Sequence, residues 1–285
     1  MDKENKILIV FIFLLAGINI FVWTFSPKTS SGFLTVSFLD VGQGDSIFIE
    51  APNGNQLLID GGRNDFVVSE LSGALDFGDK IIDVVLSTHP DGDHIGGLPE
   101  IFDRFDILNY VDNGAKGDTG TYLSLSDRVS SESSRYIKAE RGLVIVLDKE
   151  KNIYFQVLAP DKNFTFGDTN DMSVVGRLVY GESSFMLTGD ASKAVENILV
   201  YSDPDLLDSD ILKAGHHGSK TSSGLLFLEK VSPEISVISA GQGNTYGHPH
   251  VSVLENIKKV DSEILETSKE GTITFQSDGI NIWRK

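Results

Sequence analysis

The sequence contains no cysteine among its 285 residues. A chain without thiols cannot form a disulfide, carry a lipoprotein anchor or build a thiolate metal site. A metal bound by this chain would therefore be held by imidazole nitrogens and carboxylate oxygens. The absence of cysteine does not indicate a compartment.

Basic residues are also scarce: 24 Lys and Arg stand against 41 Asp and Glu, which gives a net charge of -17. The first 26 residues contain two acids and two bases, so the acidity belongs to the rest of the chain. A field of this sign repels nucleic acid and anionic membrane surfaces at long range. Such a substrate would have to be engaged by bound metal and a local basic rim.

Internal repeats are absent, and the longest compositionally biased stretch is the Ser-rich segment from Ser124 to Ser134. This pattern excludes a solenoid and a long coiled coil. A chain of this length can build a sizeable core. We expect one large domain over residues 33–285.

One long apolar run lies near the start of the chain, from Ile7 to Phe25, and only Asn19 and Thr24 in it are clearly polar. It is long enough to span a bilayer as a helix, and it has no polar face to turn to water as a core helix would. A signal peptide would have a shorter apolar region followed by a small-x-small cleavage site, which is lacking here. The run predicts an uncleaved transmembrane anchor over residues 1–26 and a linker over residues 27–32.

The orientation of this anchor depends on the few charges beside it. Lys3 and Lys6 precede the span and Lys28 follows it, which favours a cytoplasmic N-terminus. We therefore expect a single-pass protein of the cell membrane whose catalytic domain lies outside the cytoplasm.

The segment His89 to His94 places two imidazoles and two carboxylates in six residues, directly after the apolar run Ile81 to Thr88. The run predicts a buried strand. Carboxylates held so close repel one another, and burying them unpaired is costly, whereas a divalent cation turns the cluster into a favourable site. The alternative is a solvated acidic turn with two surface histidines, which the preceding strand disfavours.

Two further clusters also follow apolar strands: Thr188 to Asp190 ends on a carboxylate, and His216 and His217 are paired imidazoles. Each alone is a common turn or surface feature. Catalytic groups collect in loops at the C-terminal ends of strands, so we expect all three clusters to converge at one edge of the sheets.

The predicted elements begin with an antiparallel meander of strands near residues 33–39, 46–50 and 56–59, and helices and strands then alternate. A helix is predicted from about Ile95 to Phe105, and its first turn follows the pair Gly96 and Gly97. Strand-rich segments with interleaved helices indicate an α/β (α+β) protein in which two sheets lie between helical layers.

Six segments, in order, resemble the metallo-β-lactamase fold hydrolases, and within them the catalytic domain attached to bacterial DNA-uptake channel proteins of the ComEC/Rec2 type. These segments are FLDVGQGDS at 38–46, LIDGG at 58–62, HPDGDHIGG at 89–97, LTGD at 187–190, HHGS at 216–219 and YGHP at 246–249. The resemblance implies a four-layer αββα sandwich of two similar halves, with a two-metal site at one edge.

The resemblance also implies a set of ligands for two divalent ions, Zn or Mn. The implied ligands are His89 and Asp91 for one ion, Asp93, His94 and His217 for the other, and Asp190 as a bridge between them. His216 is the alternative to His217. Asp60 resembles the supporting carboxylate that orients the ligand loop. The lack of thiolate and the extra Asp favour the harder ion.

The sequence departs from this family in two ways. Many members have another histidine ligand before the bridging carboxylate, but all six histidines here lie elsewhere, and the corresponding stretch is Asn170 to Ser173. The multi-span channel of the DNA-uptake proteins is also absent. We therefore expect transport to require a separate channel protein.

We expect metal-assisted hydrolysis of a phosphodiester, with DNA as a candidate substrate. The candidate catalytic residues are Asp93, His216 and His248, and the candidate substrate contacts are Lys213, Ser219, Lys220, Tyr246 and His248. Each contact has a structural alternative: the lysines as surface charges, Ser219 as a helix cap, His248 as a turn residue.

Two other functions remain open. One is hydrolysis of another cell-surface ester, amide or small phosphoester. The other is a non-catalytic, membrane-tethered binding module whose site is a relic, which the retention of all six implied ligands disfavours.

Overall fold

Two β-sheets form the centre of the computed structural model, which describes residues 32–76, 78–132, 134–162 and 168–285. The first sheet contains β1 (Leu34–Phe38), β2 (Ile47–Glu50), β3 (Gln56–Ile59), β4 (Ile81–Ser87), β5 (Asp106–Asp112) and β6 (Arg135–Lys138). The second contains β7 (Val144–Asp148), β8 (Ile153–Ala159), β9 (Val175–Tyr180), β10 (Ser183–Leu187), β11 (Ile211–Lys213), β12 (Ile235–Ile238) and β13 (Glu263–Glu266). The chain then returns to the first sheet with β14 (Ile273–Ser277) and β15 (Ile282–Arg284).

The two sheets repeat one plan. In the first, β1, β2 and β3 pair antiparallel, and β3 to β6 continue as parallel neighbours. In the second, β7 to β10 pair antiparallel, and β10 to β13 continue in parallel. The expected meander and the two similar halves are therefore present. Each sheet has its run of parallel strand ends, where loops can gather functional groups.

Helices cover the outer face of each sheet. They are α1 (Phe66–Ala74), α2 (Gly92–Ile95), α3 (Leu98–Arg104), α4 (Gly120–Ser131), α5 (Lys193–Ser202), α6 (Leu225–Val231), α7 (Val251–Lys259) and α8 (Thr267–Glu270). Buried residues of α1 to α4 pack on the first sheet, and those of α5 to α7 pack on the second. The expected αββα order of layers is confirmed, and residues Ser31–Lys285 form one compact unit.

The largest apolar cluster fills the space between the sheets. The Phe275 ring of the first sheet lies 6.4 Å from the Phe185 ring of the second in an edge-on arrangement. Residues alternate between the two faces of a strand, so Ile47 and Ile49 face this inner cluster while Phe48 faces the outer helices. Strands buried on both faces explain the continuous apolar runs of the sequence.

The helix predicted near Ile95 to Phe105, with its first turn after Gly96 and Gly97, is present as α3 from Leu98 to Arg104. The short helix before the glycine pair was not predicted. The two helices, α2 and α3, are separated at Gly96 and Gly97. A Cβ atom at Gly96 would overlap the carbonyl group of Arg63, so glycine allows a backbone approach that other residues would block. Asp93 and His94 consequently lie on a short helix of their own.

The elements between residues 106 and 138 were not predicted from the sequence. The Ser-rich segment falls largely within α4, which begins after Thr119, whose hydroxyl accepts a hydrogen bond from Tyr122 N at 3.2 Å. Serine has modest helix propensity, so its abundance masked a helix that packing through Leu125 stabilises.

Within the described part of the chain, no helix has the length and apolar character needed to cross a bilayer. The anchor predicted over residues 1–26 lies outside the described residues.

Candidate metal centre

The candidate site lies where strands of both sheets end. Asp60 directly follows β3, His89 lies two residues after β4, Asp190 lies three residues after β10, and His217 lies four residues after β11. Because these strands run parallel within each sheet, their C-terminal ends bring the loops to one edge. The three sequence clusters meet there.

Asp190 stands at the centre of this meeting point. Its Oδ2 atom lies 3.3 Å from His94 Nε2, 3.4 Å from His217 Nε2 and 3.6 Å from His216 Nε2. The Asp190 side chain is buried. One carboxylate oxygen therefore faces imidazoles supplied by both sheets.

The other predicted ligands surround this centre. Asp93 Oδ2 lies 3.6 Å from His217 Nε2, and Asp91 Oδ2 lies 3.8 Å from His89 Nε2. Among the described residues, four sets of three possible ligand atoms each lie within 4.8 Å of one another. Two of these sets contain predicted ligands alone: His89, His94 and Asp190, and Asp93, His94 and His217. The other two contain Asp45, either with Asp60 and His94 or with Asp190 and His217. His216 belongs to none of the four sets, and its side chain is one-quarter exposed.

A buried hydrogen-bond chain orients two of the histidines. The Thr88 hydroxyl lies 2.7 Å from Asp60 Oδ2 and 3.0 Å from His89 Nδ1, and His94 Nδ1 lies 2.8 Å from the same Asp60 oxygen. Because a carboxylate accepts, His94 donates from Nδ1; Thr88 donates to Asp60 and can accept from His89 Nδ1. Both histidines then have a free Nε2. Asp60 contacts the predicted ligand loop through His94 and Thr88, and its role as the supporting carboxylate stays a prediction.

His217 is oriented in the same way from the other sheet. Its Nδ1 lies 3.0 Å from the carbonyl oxygen of Ser239, just after β12, and 3.2 Å from Asp45 Oδ1. Both neighbours are acceptors, so Nδ1 carries the proton and Nε2 is free. His216 and His217 both adopt positive φ angles of 49° and 54°, a strained conformation that directs both rings into the site.

The donor set fits a divalent metal. The Nε2 atoms of His89, His94 and His217 are buried and have no hydrogen-bond partner. Buried polar nitrogens without partners are costly, and three that converge on a carboxylate are what a cation would satisfy. The residues present therefore fit a metal.

The electrostatics of the site also favour a bound cation. Burial and, to a smaller extent, the neighbouring His94 lower the pKa of His89 to about 3 against the opposing effect of nearby carboxylates. Burial would also lower the pKa of His217, but Asp190 and Asp45 raise it to about 9. These buried carboxylates attract positive charge to the centre, and a metal ion competes with protons for the same atoms.

Lys213 does not contact substrate, contrary to the sequence expectation. Its side chain is completely buried, and its ammonium group pairs with Asp45. The expectation was wrong because a lysine at the end of a strand usually reaches water, whereas this one finds a carboxylate supplied by the opposite sheet.

Ser219 and Lys220 lie at the edge of the candidate site. Ser219 is buried, and its hydroxyl accepts hydrogen bonds from Thr221 N at 3.4 Å and Thr221 Oγ1 at 2.9 Å. It shapes the turn after His217. The alternative role as a cap of the following helix is wrong, because α6 begins after Gly224 and has no side-chain cap. The side chain of Lys220 is exposed, and it stays a candidate substrate contact.

His248 and Tyr246 form a stack of rings beside the candidate ligands. The Tyr246 and His248 rings lie 5.8 Å apart at 24°, and His248 lies 5.7 Å from the His216 ring. The Tyr246 hydroxyl accepts from Arg63 Nη2 at 3.1 Å. Asn244 holds His248 through both backbone polar groups, at 3.0 Å and 2.6 Å. His248 Nδ1 is buried without a partner.

No functional role was predicted from the sequence for Asp45, Ser173 or Asn113. Ser173 occupies the stretch that lacks the family's histidine, and its hydroxyl lies 3.4 Å from His89 Nδ1 and accepts from Asp190 N at 3.2 Å. Asn113 donates to the carbonyl oxygens of Thr88 and Met172.

One feature of the sequence could have identified Asp45 as a functional residue: it is a carboxylate within a Gly-rich turn between two apolar strands. At Gly44, whose φ is 138°, a Cβ would overlap the Asp93 carbonyl.

A sandwich of two sheets between helices, with histidines and aspartates gathered at the strand ends, is typical of metal-dependent hydrolases. The chain belongs to the metallo-beta-lactamase superfamily, whose family model matches residues 39–242.

Two curated relatives and one solved structure are similar to most of the chain. ComE operon protein 3 of Bacillus subtilis is 30% identical over 258 residues, which cover 85% of this chain and 33% of that protein. Recombination protein 2 of Haemophilus influenzae is 29% identical over 87% of this chain and 29% of its own length. The Bacillus subtilis metallo-beta-lactamase fold protein YhfI has a TM-score of 0.59 at 12% identity, covering 86% of this chain and 100% of YhfI. The chain thus spans about a third of its curated relatives, and YhfI supports the fold alone.

Proposed function

We propose that this chain is a dinuclear-metal phosphodiesterase, a membrane-anchored nuclease related to the DNA-uptake proteins. One observation carries the proposal: three buried histidine Nε2 atoms have no partner. Those of His94 and His217 face the carboxylate of Asp190, and a ligand atom of the third residue, His89, lies within 4.8 Å of Asp190. Ligands from both sheets converge on one small volume, as a two-metal hydrolase requires.

The proposed roles follow from which atoms face the centre. His89 and Asp91 would hold one ion, Asp93, His94 and His217 would hold the other, and Asp190 would contribute to both. Two divalent ions, Zn or Mn, would supply a lowered pKa for an attacking water and charge stabilisation for the phosphate oxygens. Asp60 and Thr88 keep the ligating nitrogens free of protons.

Substrate binding falls to the side chains beside the ligands. His248 lies next to His216, and its unpartnered Nδ1 suits a hydrogen bond to a phosphate oxygen. Arg63, Lys220 and the exposed ring of Tyr246 supply a local rim of positive charge and stacking surface. Such a rim is needed because the net charge of -17 repels a polyanion.

The proposed location is the cell membrane, through the apolar run Ile7 to Phe25, with the domain outside the cytoplasm. The proposed partner is a separate channel protein that would transport the DNA strand. Protease added to intact cells should digest the domain. Protection of the domain until lysis would reverse the orientation, and recovery of protein that begins after Ser26 would indicate a cleaved signal.

Hydrolysis of another ester, an amide or a small phosphoester is the second candidate, because the same centre would serve it. A tethered binding module without activity is the third. Metal content and substrate range separate the three.

The test uses purified residues 32–285, reconstituted with Zn or Mn. We expect two ions per chain, cleavage of bis(p-nitrophenyl) phosphate and single-stranded DNA, and no cleavage of nitrocefin. Chelation should lower the melting temperature, because ions that bind only the folded state stabilise it. Protein without stoichiometric metal would overturn the proposal, and metal without phosphodiesterase activity would favour the second or third candidate.

A further inference from the structure

Asp45 and Lys213 form an ion pair that is buried beneath the candidate metal centre. Lys213 is completely buried at the end of β11 in the second sheet, and Asp45 is 2% exposed in the loop between β1 and β2 of the first. The pair therefore joins the two halves of the sandwich directly behind the ligands.

Each partner also contacts a candidate ligand on the side that faces away from the centre. Asp45 Oδ1 lies 3.2 Å from His217 Nδ1, whereas His217 Nε2 faces Asp190. Lys213 Nζ donates to the carbonyl oxygen of Gly189 at 3.0 Å and lies 3.7 Å from Asp190 Oδ1. The other oxygen of Asp190, Oδ2, is the one that faces the histidines.

We propose that Asp45 and Lys213 are positioning residues of the metal centre. Asp45 and the Ser239 carbonyl oxygen together keep the proton of His217 on Nδ1, and Lys213 holds Asp190 Oδ1 so that the carboxylate would present Oδ2 to the metal. The inference rests on the proposed two-metal site, and it adds the pair that fixes how the bridging carboxylate and one imidazole are turned.

A purely structural role explains the pair poorly. Two charges buried at an interface between sheets lose their hydration, and well-packed apolar residues of similar size usually stabilise a core at least as well. The contacts also select one atom of each ligand. Groups that orient metal ligands in this way change metal affinity about 10- to 100-fold when they are removed.

The test is the double variant Asp45→Asn/Lys213→Met in the full-length chain, solubilised in detergent. Replacing Lys213 alone would leave Asp45 charged, buried and unpaired, so the single variant could fail to fold. The double variant keeps the net charge constant, so a change in long-range electrostatics cannot explain its result. We expect Zn²⁺, titrated alone against a competing chelator, to bind about 10- to 100-fold more weakly.

A second measurement reports the imidazole directly. The chain has six histidines, so ¹⁵N-histidine labelling gives a sparse spectrum. In the metal-free wild type, at a pH where the ring is neutral, we expect His217 to be protonated on Nδ1. In the double variant we expect this preference to weaken. A role in packing alone would leave both the tautomer and the affinity unchanged.

The matched control is Asp103→Asn/Arg128→Met, which neutralises a surface ion pair whose nitrogen and oxygen are 2.6 Å apart. It should bind Zn²⁺ as the wild type does. Equal affinity and an unchanged His217 tautomer in the Asp45/Lys213 variant would overturn this inference and leave the proposed function standing. A wild type that binds no Zn²⁺ would instead overturn the metal centre itself, and this inference with it.

Discussion

Asp60 Oδ2 and His94 Nδ1 lie 2.8 Å apart, and both side chains are completely buried. The same carboxylate accepts from the backbone and hydroxyl of Thr88, which in turn contacts His89. One carboxylate therefore sets the orientation of two candidate ligands. Burial raises the pKa of Asp60, so the favourable contacts to His94 and Thr88 are needed to hold its charge.

Replacing Asp60 by asparagine should weaken metal binding. The amide can donate to His94 Nδ1, which would move the imidazole proton to Nε2 and block the ligating atom. We expect the affinity for Zn²⁺ to fall about 10- to 100-fold, measured by competition with a chromophoric chelator. Asp83→Asn is the control, because Asp83 accepts from Gln56 N at 2.8 Å and contacts none of the candidate ligands. Equal losses in both variants would argue against a specific role for Asp60.

The carboxylate of Asp190 should matter more than any other candidate ligand, because its Oδ2 atom contacts histidines from both sheets. Asp190→Asn keeps the size of the side chain and removes its charge. We expect lower metal occupancy by elemental analysis and phosphodiesterase turnover reduced by at least about 100-fold. A variant with normal metal content and a normal rate would refute the assignment of the site.

Local sequence patterns predicted much of this architecture. Short-range features, namely the apolar run before His89 and the spacing of His89 to His94, were enough to predict the strand, the loop that follows it and the candidate ligands in that loop. The places of Asp45 and Ser173 depend on strands that pair far apart in the chain. The burial of Lys213 depends on a carboxylate in the other sheet, and no local pattern reports such a partner.

The ring of His248 should act on the substrate and not on the metal. It is half-buried beside His216, and Asn244 fixes its backbone. In His248→Ala we expect unchanged metal content and melting temperature, with turnover reduced about 10- to 1000-fold, the range for loss of one group that stabilises developing charge. His250→Ala is the control, because that exposed histidine accepts from Ser252 N at the start of α7. Normal turnover in His248→Ala would remove His248 from the site.

Glu196 should make the stability of the fold depend on pH. Its carboxylate is buried in α5 and accepts from Ser223 N at 2.6 Å and Gly224 N at 2.8 Å, just before α6. Burial raises the pKa of Glu196 from 4.5 to about 7, and the two N–H donors offset this only in part. Between pH 4.5 and about pH 7 the folded state binds more protons at Glu196 than the unfolded state does. The free energy of unfolding therefore falls as the pH rises through this window, and above about pH 7 Glu196 makes it change no further.

Glu196→Gln removes this titration and should flatten the dependence. At about 1.4 kcal/mol per pH unit, we expect the free energy of unfolding of the wild type, relative to the variant, to fall by about 3 kcal/mol across the window. Urea denaturation of both proteins at pH 5 and pH 8, with a chelator present to exclude pH-dependent metal binding, measures the difference. Glu255→Gln, at an exposed position on α7, should leave the slope unchanged. An equal loss of unfolding free energy between pH 5 and pH 8 in the wild type and in Glu196→Gln would contradict this prediction. It would mean that Glu196 is already ionised in the folded protein at pH 5, because the two N–H donors outweigh the effect of burial on its pKa.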